Sequence, residues 1–312
     1  MKVVTIEAIQ NKESNPGLIK QVGFTLIELS IVLVIIGLIV GGVLVGQDLI
    51  KAAEIRSTIG QYEKYNAAMN TFRTKYNAMP GDISGGTGGQ ATAFGLFAYT
   101  GAATAGTGLG DGNGMITDTA ATNLNAPVGE TLIIWRHLSD ASLLEGSFGT
   151  SLAAATGQTA ASPTAALYLP PAKLGRGNSW LAGSSAGQNY YALASVTGMT
   201  AGAAATATYA TTVGGGLTPV EAFNIDSKLD DGMPNTGIIQ ARGHATMGAA
   251  ADTIFAALGS GARPVWTTAT AASAAAGDCV TTGATATDTA NTYARGTTPG
   301  GTPACTLRLR FN

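Results

Sequence analysis

Apolar and polar positions divide this chain into two regimes. From Phe24 to Val45 there are 22 consecutive residues whose only charge is Glu28. At about 1.5 Å per residue, such a run spans roughly 33 Å as a helix, enough for a hydrocarbon core of about 30 Å. Beyond it the apolar positions become periodic: Leu49, Ala52, Ile55, Ile59, Tyr62, Tyr65, Met69, Phe72, Tyr76 and Met79. Steps of three and four residues draw one stripe along a helix, with Lys51, Glu54, Arg56, Glu63, Lys64 and Arg73 largely filling the other face. No proline interrupts Phe24 to Met79, and "MPGD" (79–82) stops the helix because Pro80 pushes Met79 out of helical geometry. The pattern therefore predicts one helix over 24–79, with a membrane-spanning half at 24–45 and an amphipathic half packed beneath a domain.

The remaining chain is organised differently. Residues 80–128 are rich in Gly, Ala and Thr and poorly periodic, which reads as a long surface connection. In "GETLIIWRHLSDASLLEG" (129–146), Leu132, Trp135, Leu138 and Ala141 share a helical face and Gly146 offers a stop. "LTPVEAFNIDSKLDDGMPNTG" (217–237) opens with Thr218 as N-cap, Pro219 in the first turn and Glu221 closing a capping box. Ala222, Ile225 and Leu229 then share a face. Segments 190–198, 236–243 and 306–311 read as strands. Together these predict an α+β lollipop: a long N-terminal helix on a small antiparallel sheet with long Gly/Ala/Thr-rich loops, the head occupying 80–312.

What surrounds the apolar run argues against a secretory signal peptide. Such peptides carry about 7–15 apolar residues before a small-residue cleavage site. This run is longer, and "GQDLIKAAEIRS" places charges where cleavage would fall. Residues 1–23 precede it as a polar leader, and Lys20 just outside the run favours a cytoplasmic N-terminus with the head exported.

Composition narrows the function classes. The 312 residues are 45% hydrophobic and 12% charged with net charge −2, and no Lys/Arg cluster exists, so nucleic acid is not an expected partner. There is no G-x-S-x-G, H-E-x-x-H or G-x-x-x-x-G-K-[ST], and neither His137 nor His244 has a motif-linked nucleophile, so no enzyme is expected. His137 reads as a surface residue. No cofactor is required, but calcium has two candidate positions. Asp111, Asn113 and Asp118 cluster on the glycine-bent "GLGDGNGMITD", although without the full spacing of a calcium loop, so a plain turn is the preferred reading over a cation site. Asp226, Asp230 and Asp231 gather near a helix C-terminus, where they oppose the dipole and either a cation or solvent compensates them. The only cysteines, Cys279 and Cys305, most simply form one disulfide in an exported domain, contributing roughly 3–4 kcal/mol by loop entropy.

Glu28 carries the functional question, because a carboxylate in an apolar run is costly without a partner. "GFTLIELSIVLVIIGLI" (23–39) resembles the prepilin cleavage and methylation signal of type IV pilins and type II secretion pseudopilins. The resemblance implies cleavage after Gly23 and methylation of Phe24 by a prepilin peptidase/methyltransferase. It also implies that Glu28 guides assembly with other subunits through an inner-membrane platform. The new amine of Phe24 on one chain then meets Glu28 on the next, an ion pair that is costly to leave half-made and so sets register. The implied protein is a single-pass inner-membrane subunit with its head in the periplasm, built into a periplasmic or extracellular filament. Pilins of this family also bound a C-terminal loop with a disulfide. Many carry a proline where Val45 stands here, whereas this helix has Gly37, Gly41, Gly42 and Gly46. The alternative from another class is a membrane-tethered binding protein or adhesin that never polymerises.

Overall fold

The computed structural model describes residues 25–83, 90–96, 110, 112–116, 130–149, 165–185, 187–201, 209–243, 279–281, 292–295, 303 and 305–311. The chain divides into two compact units, residues 1–50 and 51–312, and helix α1 (Leu26–Tyr76) belongs to both. Between Leu29 and Val45 α1 carries no charge on any face, and the large side chains of the first unit are left uncovered by the chain itself, from Ile36 at 51% exposed to Leu26 at 88%. A helix with no polar face belongs in lipid or among other helices. Among the described residues it is the one helix long and apolar enough to cross a membrane.

In the second unit the same helix turns amphipathic. Ile55, Thr58, Tyr62, Tyr65, Met69 and Phe72 are buried in steps of three and four residues, matching the period of an α-helix. The helix ends where Asn77 takes a left-handed φ of +49° and its N–H donates to the Arg73 carbonyl (2.8 Å). Asparagine tolerates that conformation, and Pro80 forbids any continuation.

The helix packs on a five-stranded antiparallel sheet. Strands β1 (Asn178–Ser185), β2 (Gln188–Ala201), β7 (Cys305–Phe311) and β4 (Ile239–Gly243) lie side by side in that order, and β3 (Tyr209–Gly214) pairs with the outer part of β2. The last strand in sequence is thus central in space, with Tyr191 opposite Leu309 and Leu309 opposite Ile239. Alternation places Tyr191, Leu193, Leu307, Leu309, Phe311, Ile239 and Ala241 on one face, all buried. Tyr191 stacks on Phe311 at 4.2 Å and meets Tyr62 and Tyr65 of α1 at 6.1 and 6.0 Å. Trp135 from helix α3 (Glu130–Asp140) and Trp180 from β1 complete this aromatic centre around Tyr65, at 5.3 and 5.6 Å. Gln61 fastens α1 to the approach to β1. Its Nε2 donates to the Pro171 carbonyl (3.0 Å), and its Oε1 accepts from Lys173 N–H (2.8 Å) and Trp180 Nε1–H (3.3 Å).

Two smaller pieces complete the unit. Helix α2 (Gln90–Ala93) is a single turn, and helix α4 (Pro219–Leu229) starts with the capping box Thr218–Glu221. Arg176 also donates to Glu221 Oε2 (2.6 Å), tying the turn before β1 to the start of α4. The two-residue strands β5 (Val280–Thr281) and β6 (Thr292–Tyr293) pair with each other inside the loop closed by the Cys279–Cys305 disulfide.

Two expectations are corrected. Residues 80–128 are not all a surface connection: Asp82, Ile83 and Ile116 are buried. Nor is His137 a surface residue. It is 1% exposed, and its ring lies parallel to Phe72, with centroids 6.2 Å apart.

Candidate functional site

At the start of α1, Thr25 and Glu28 form a capping box. Thr25 N–H and Thr25 Oγ1–H both donate to Glu28 Oε2 at 2.8 Å, and Glu28 N–H donates back to Thr25 Oγ1 at 3.3 Å. The first turn of a helix leaves backbone N–H groups without intrahelical acceptors, and this arrangement satisfies two of them reciprocally. Glu28 also stands at the positive end of the helix dipole, which favours its charge. One carboxylate oxygen is thus engaged within the chain, while Oε1 accepts no hydrogen bond among the described residues. Gly23 and Phe24, the expected cleavage and methylation positions, lie outside the described residues.

The family model for the prokaryotic N-terminal methylation motif matches residues 20–44, which include Gly23, Phe24, Thr25 and Glu28. The chain carries the signature of type IV pilins and pseudopilins. No curated protein and no solved structure matches it. In type IV pilins and pseudopilins this motif implies processing by prepilin peptidase and assembly with other subunits. An N-terminal helix apolar enough to span a bilayer fits a membrane-anchored pilin. Thr25 is the residue that sequence reading passed over. Its signal was there: a Thr three residues ahead of a Glu, just before an apolar run.

In the second unit the three aspartates of the second calcium candidate come together. Asp226, Asp230 and Asp231 place carboxylate oxygens within 4.8 Å of one another. Asp226 is fully buried; its Oδ2 accepts from Tyr293 Oη–H (2.7 Å) and its Oδ1 from Gly232 N–H (3.3 Å). Asp230 Oδ2 accepts from Ile238 N–H and from Ile239 N–H (3.1 Å). Asp231 Oδ1 accepts from Met233 N–H (2.8 Å), and its Oδ2 from the Thr236 hydroxyl. Burial pushes the Asp226 carboxyl up to about 7; the charges of Asp231 and Asp230 add to this, while hydrogen bonds from Tyr293 and Gly232 oppose it. Burial likewise pushes the Tyr293 hydroxyl up, and the Asp226 charge reinforces it. Tyr293 belongs to the disulfide-closed loop, so Asp226 joins that loop to α4. Phe223 of α4 adds an edge contact to Tyr293 at 6.0 Å, and the Arg295 guanidinium lies 3.8 Å above the Phe223 ring.

For the first calcium candidate, Asp111 and Asp118 lie outside the described residues and only Asn113 is placed. Its Oδ1 accepts from Met115 N–H (2.6 Å), closing a local turn. The flanking glycines direct their amides at a residue that sequence reading did not select. Gly112 N–H donates to Asp82 Oδ1 (2.7 Å) and Gly114 N–H to Asp82 Oδ2 (2.5 Å). Both glycines have positive φ, +77° and +82°, and form a small nest of donors around that carboxylate. Asn189 of β2 secures the same loop, donating to the Gly114 carbonyl and accepting from Ile116 N–H, each at 2.9 Å.

Proposed function

We propose that this pilin-type chain is a structural subunit of a type IV pilus or a type II secretion pseudopilus. It is cleaved after Gly23, methylated on Phe24 and polymerised through α1, with the head displayed outside the inner membrane. The observation that carries the reading is Glu28 within the methylation motif, with one oxygen engaged by Thr25 and the other accepting no hydrogen bond among the described residues. A simple tether gains nothing from a carboxylate in an apolar helix, whereas a subunit gains a partner for a neighbour's N-terminal amine. N-methylation keeps the amine's positive charge, so the pairing survives modification. The size of the head supports a minor or specialised position over a repetitive shaft role.

The test is incorporation. Filaments purified from cells expressing wild-type chain or Glu28→Gln should contain the first and lack the second, with both precursors cleaved. Undiminished incorporation of Glu28→Gln removes the assembly role, and a wild-type chain never found in filaments favours the tethered adhesin.

The cation reading belongs to the Asp226, Asp230 and Asp231 cluster. Three carboxylates with unused lone pairs suit the oxygen preference of Ca²⁺, which takes six to eight such ligands. Waters and carbonyl groups would supply the remainder.

A further inference from the structure

We infer that His137 is a proton-operated latch on the turn where α1 ends: the neutral imidazole holds Gly81, and protonation releases that turn with the 110–116 loop pinned to it. Gly81 N–H donates to His137 Nδ1 at 3.0 Å in the buried interior. That nitrogen can accept only while it lacks a proton, and the imidazolium form has donors at both ring positions. Protonation at Nδ1 therefore sets donor against donor at a contact neither side can leave easily. The ring is stacked on Phe72 at an interplanar angle of 8°, with 1% of the residue exposed. Gly81 is equally confined. It has φ +93°, and a Cβ there would lie 2.7 Å from the Glu130 carbonyl oxygen. The turn must move as a piece.

What moves with it follows from the next residue. Asp82 carries the Gly112 and Gly114 amides on its carboxylate, and Gly110 sits so close to the Asp82–Ile83 backbone that a Cβ would come within 2.3 Å. Displacing Gly81 displaces Asp82, and with it the loop that Asn189 ties to β2. Among the described residues, the titratable and charged groups on the elements around His137 are few. The last turns of α1 carry Arg73, Lys75 and Tyr76, and the exit turn carries Asp82. Helix α3 carries Glu130, Arg136 and Asp140, of which Arg136 and Asp140 pair at 2.7 Å. Strand β1, which also packs on α3, has no titratable side chain. Imidazole is the side chain whose ordinary titration falls between about pH 5 and 8, which sets the two pH values compared below.

The test is amide exchange on the full chain in detergent, corrected for the intrinsic effect of pH, at about pH 5 and about pH 7.5. Peptides covering 79–83 and 110–116 should exchange about tenfold faster at the lower pH, while the 305–311 peptide holds its protection. His137→Asn places an amide oxygen where Nδ1 sits and does not titrate, so it should flatten the acid step. Unchanged exchange over 79–83 in wild type overturns the latch, as does an acid step of equal size in His137→Asn. Should that variant fail to fold, imidazole ¹⁵N spectra of the wild-type chain decide. An unprotonated, hydrogen-bond-accepting Nδ1 at neutral pH and its protonation in step with the exchange change are required; a protonated Nδ1 at neutral pH contradicts them.

Discussion

Asp226→Asn should make this protein more stable at alkaline pH, although it removes a buried, doubly hydrogen-bonded carboxylate. The folded-state carboxyl titrates at about 7 against an ordinary 3.8, chiefly because it is buried. A raised folded pKa contributes stability that is complete below the unfolded value and is lost as pH rises through about 7. The shift of about three units is worth about 4 kcal/mol at 1.36 kcal/mol per unit. Asparagine keeps the shape and the two contacts, its oxygen accepting from Gly232 and its amide donating to the Tyr293 hydroxyl. It never ionises, so it escapes the loss. Urea unfolding of the detergent-solubilised chain in EGTA, followed by fluorescence of the buried Trp135 and Trp180, gives the comparison. At about pH 4 the two proteins should be nearly equal, and at about pH 8 the variant should lead by about 2–4 kcal/mol. A difference that stays constant across that range refutes the argument. Added Ca²⁺ then tests the cation reading separately. Saturating cation at about a hundred times its Kd adds about 2.7 kcal/mol to the wild type at pH 8, and nothing comparable to the variant. No response in either protein removes the cation and leaves the proton argument intact.

Further predictions concern the head's construction. Gly81→Ala should destabilise by at least about 2 kcal/mol by urea unfolding, because a left-handed φ and a carbonyl 2.7 Å from the new Cβ act together. Serine at both Cys279 and Cys305 should cost about 3–4 kcal/mol under oxidising conditions and nothing under reducing ones, since the bond closes a separation of 26 residues. Gln61→Ala should cost about 1 kcal/mol in the same assay, by removing the acceptor of the part-buried Trp180 Nε1–H and the tie to Lys173 N–H.

Long-period features of this fold were legible in the sequence, and long-range ones were not. Helix α1 could be read from its uninterrupted run and its three-four stripe, and the start of α4 from Thr218, Pro219 and Glu221, because those signals act within a few residues. The strand segments at 306–311 and 190–198 also declared themselves by their apolar and aromatic content. Strand β1 did not: "NSWLAGSS" has a strand's burial but a loop's composition, and only its pairing with β2 makes it a strand. His137 and Asp82 were invisible for a related reason. Each is specified by a backbone amide far away in sequence, Gly81 for the imidazole and Gly112 and Gly114 for the carboxylate. Nothing local distinguishes a buried acceptor of that kind from a solvated side chain. The acidic cluster lay between these cases. Its three aspartates stand close in sequence, but the hydroxyl that donates to buried Asp226 belongs to Tyr293, 67 residues away.

On the proposed function, this chain leaves the membrane as a processed subunit beginning at Phe24. Intact-mass analysis of the protein recovered from sheared surface filaments or from membrane extracts tests it most directly. The expected result is a single mature species starting at Phe24 and heavier by one methyl group, and a Gly23→Val variant recovered only as uncleaved precursor. A mature chain that begins after Val45 would mean an ordinary export signal, and would contradict the reading from its first residue onward.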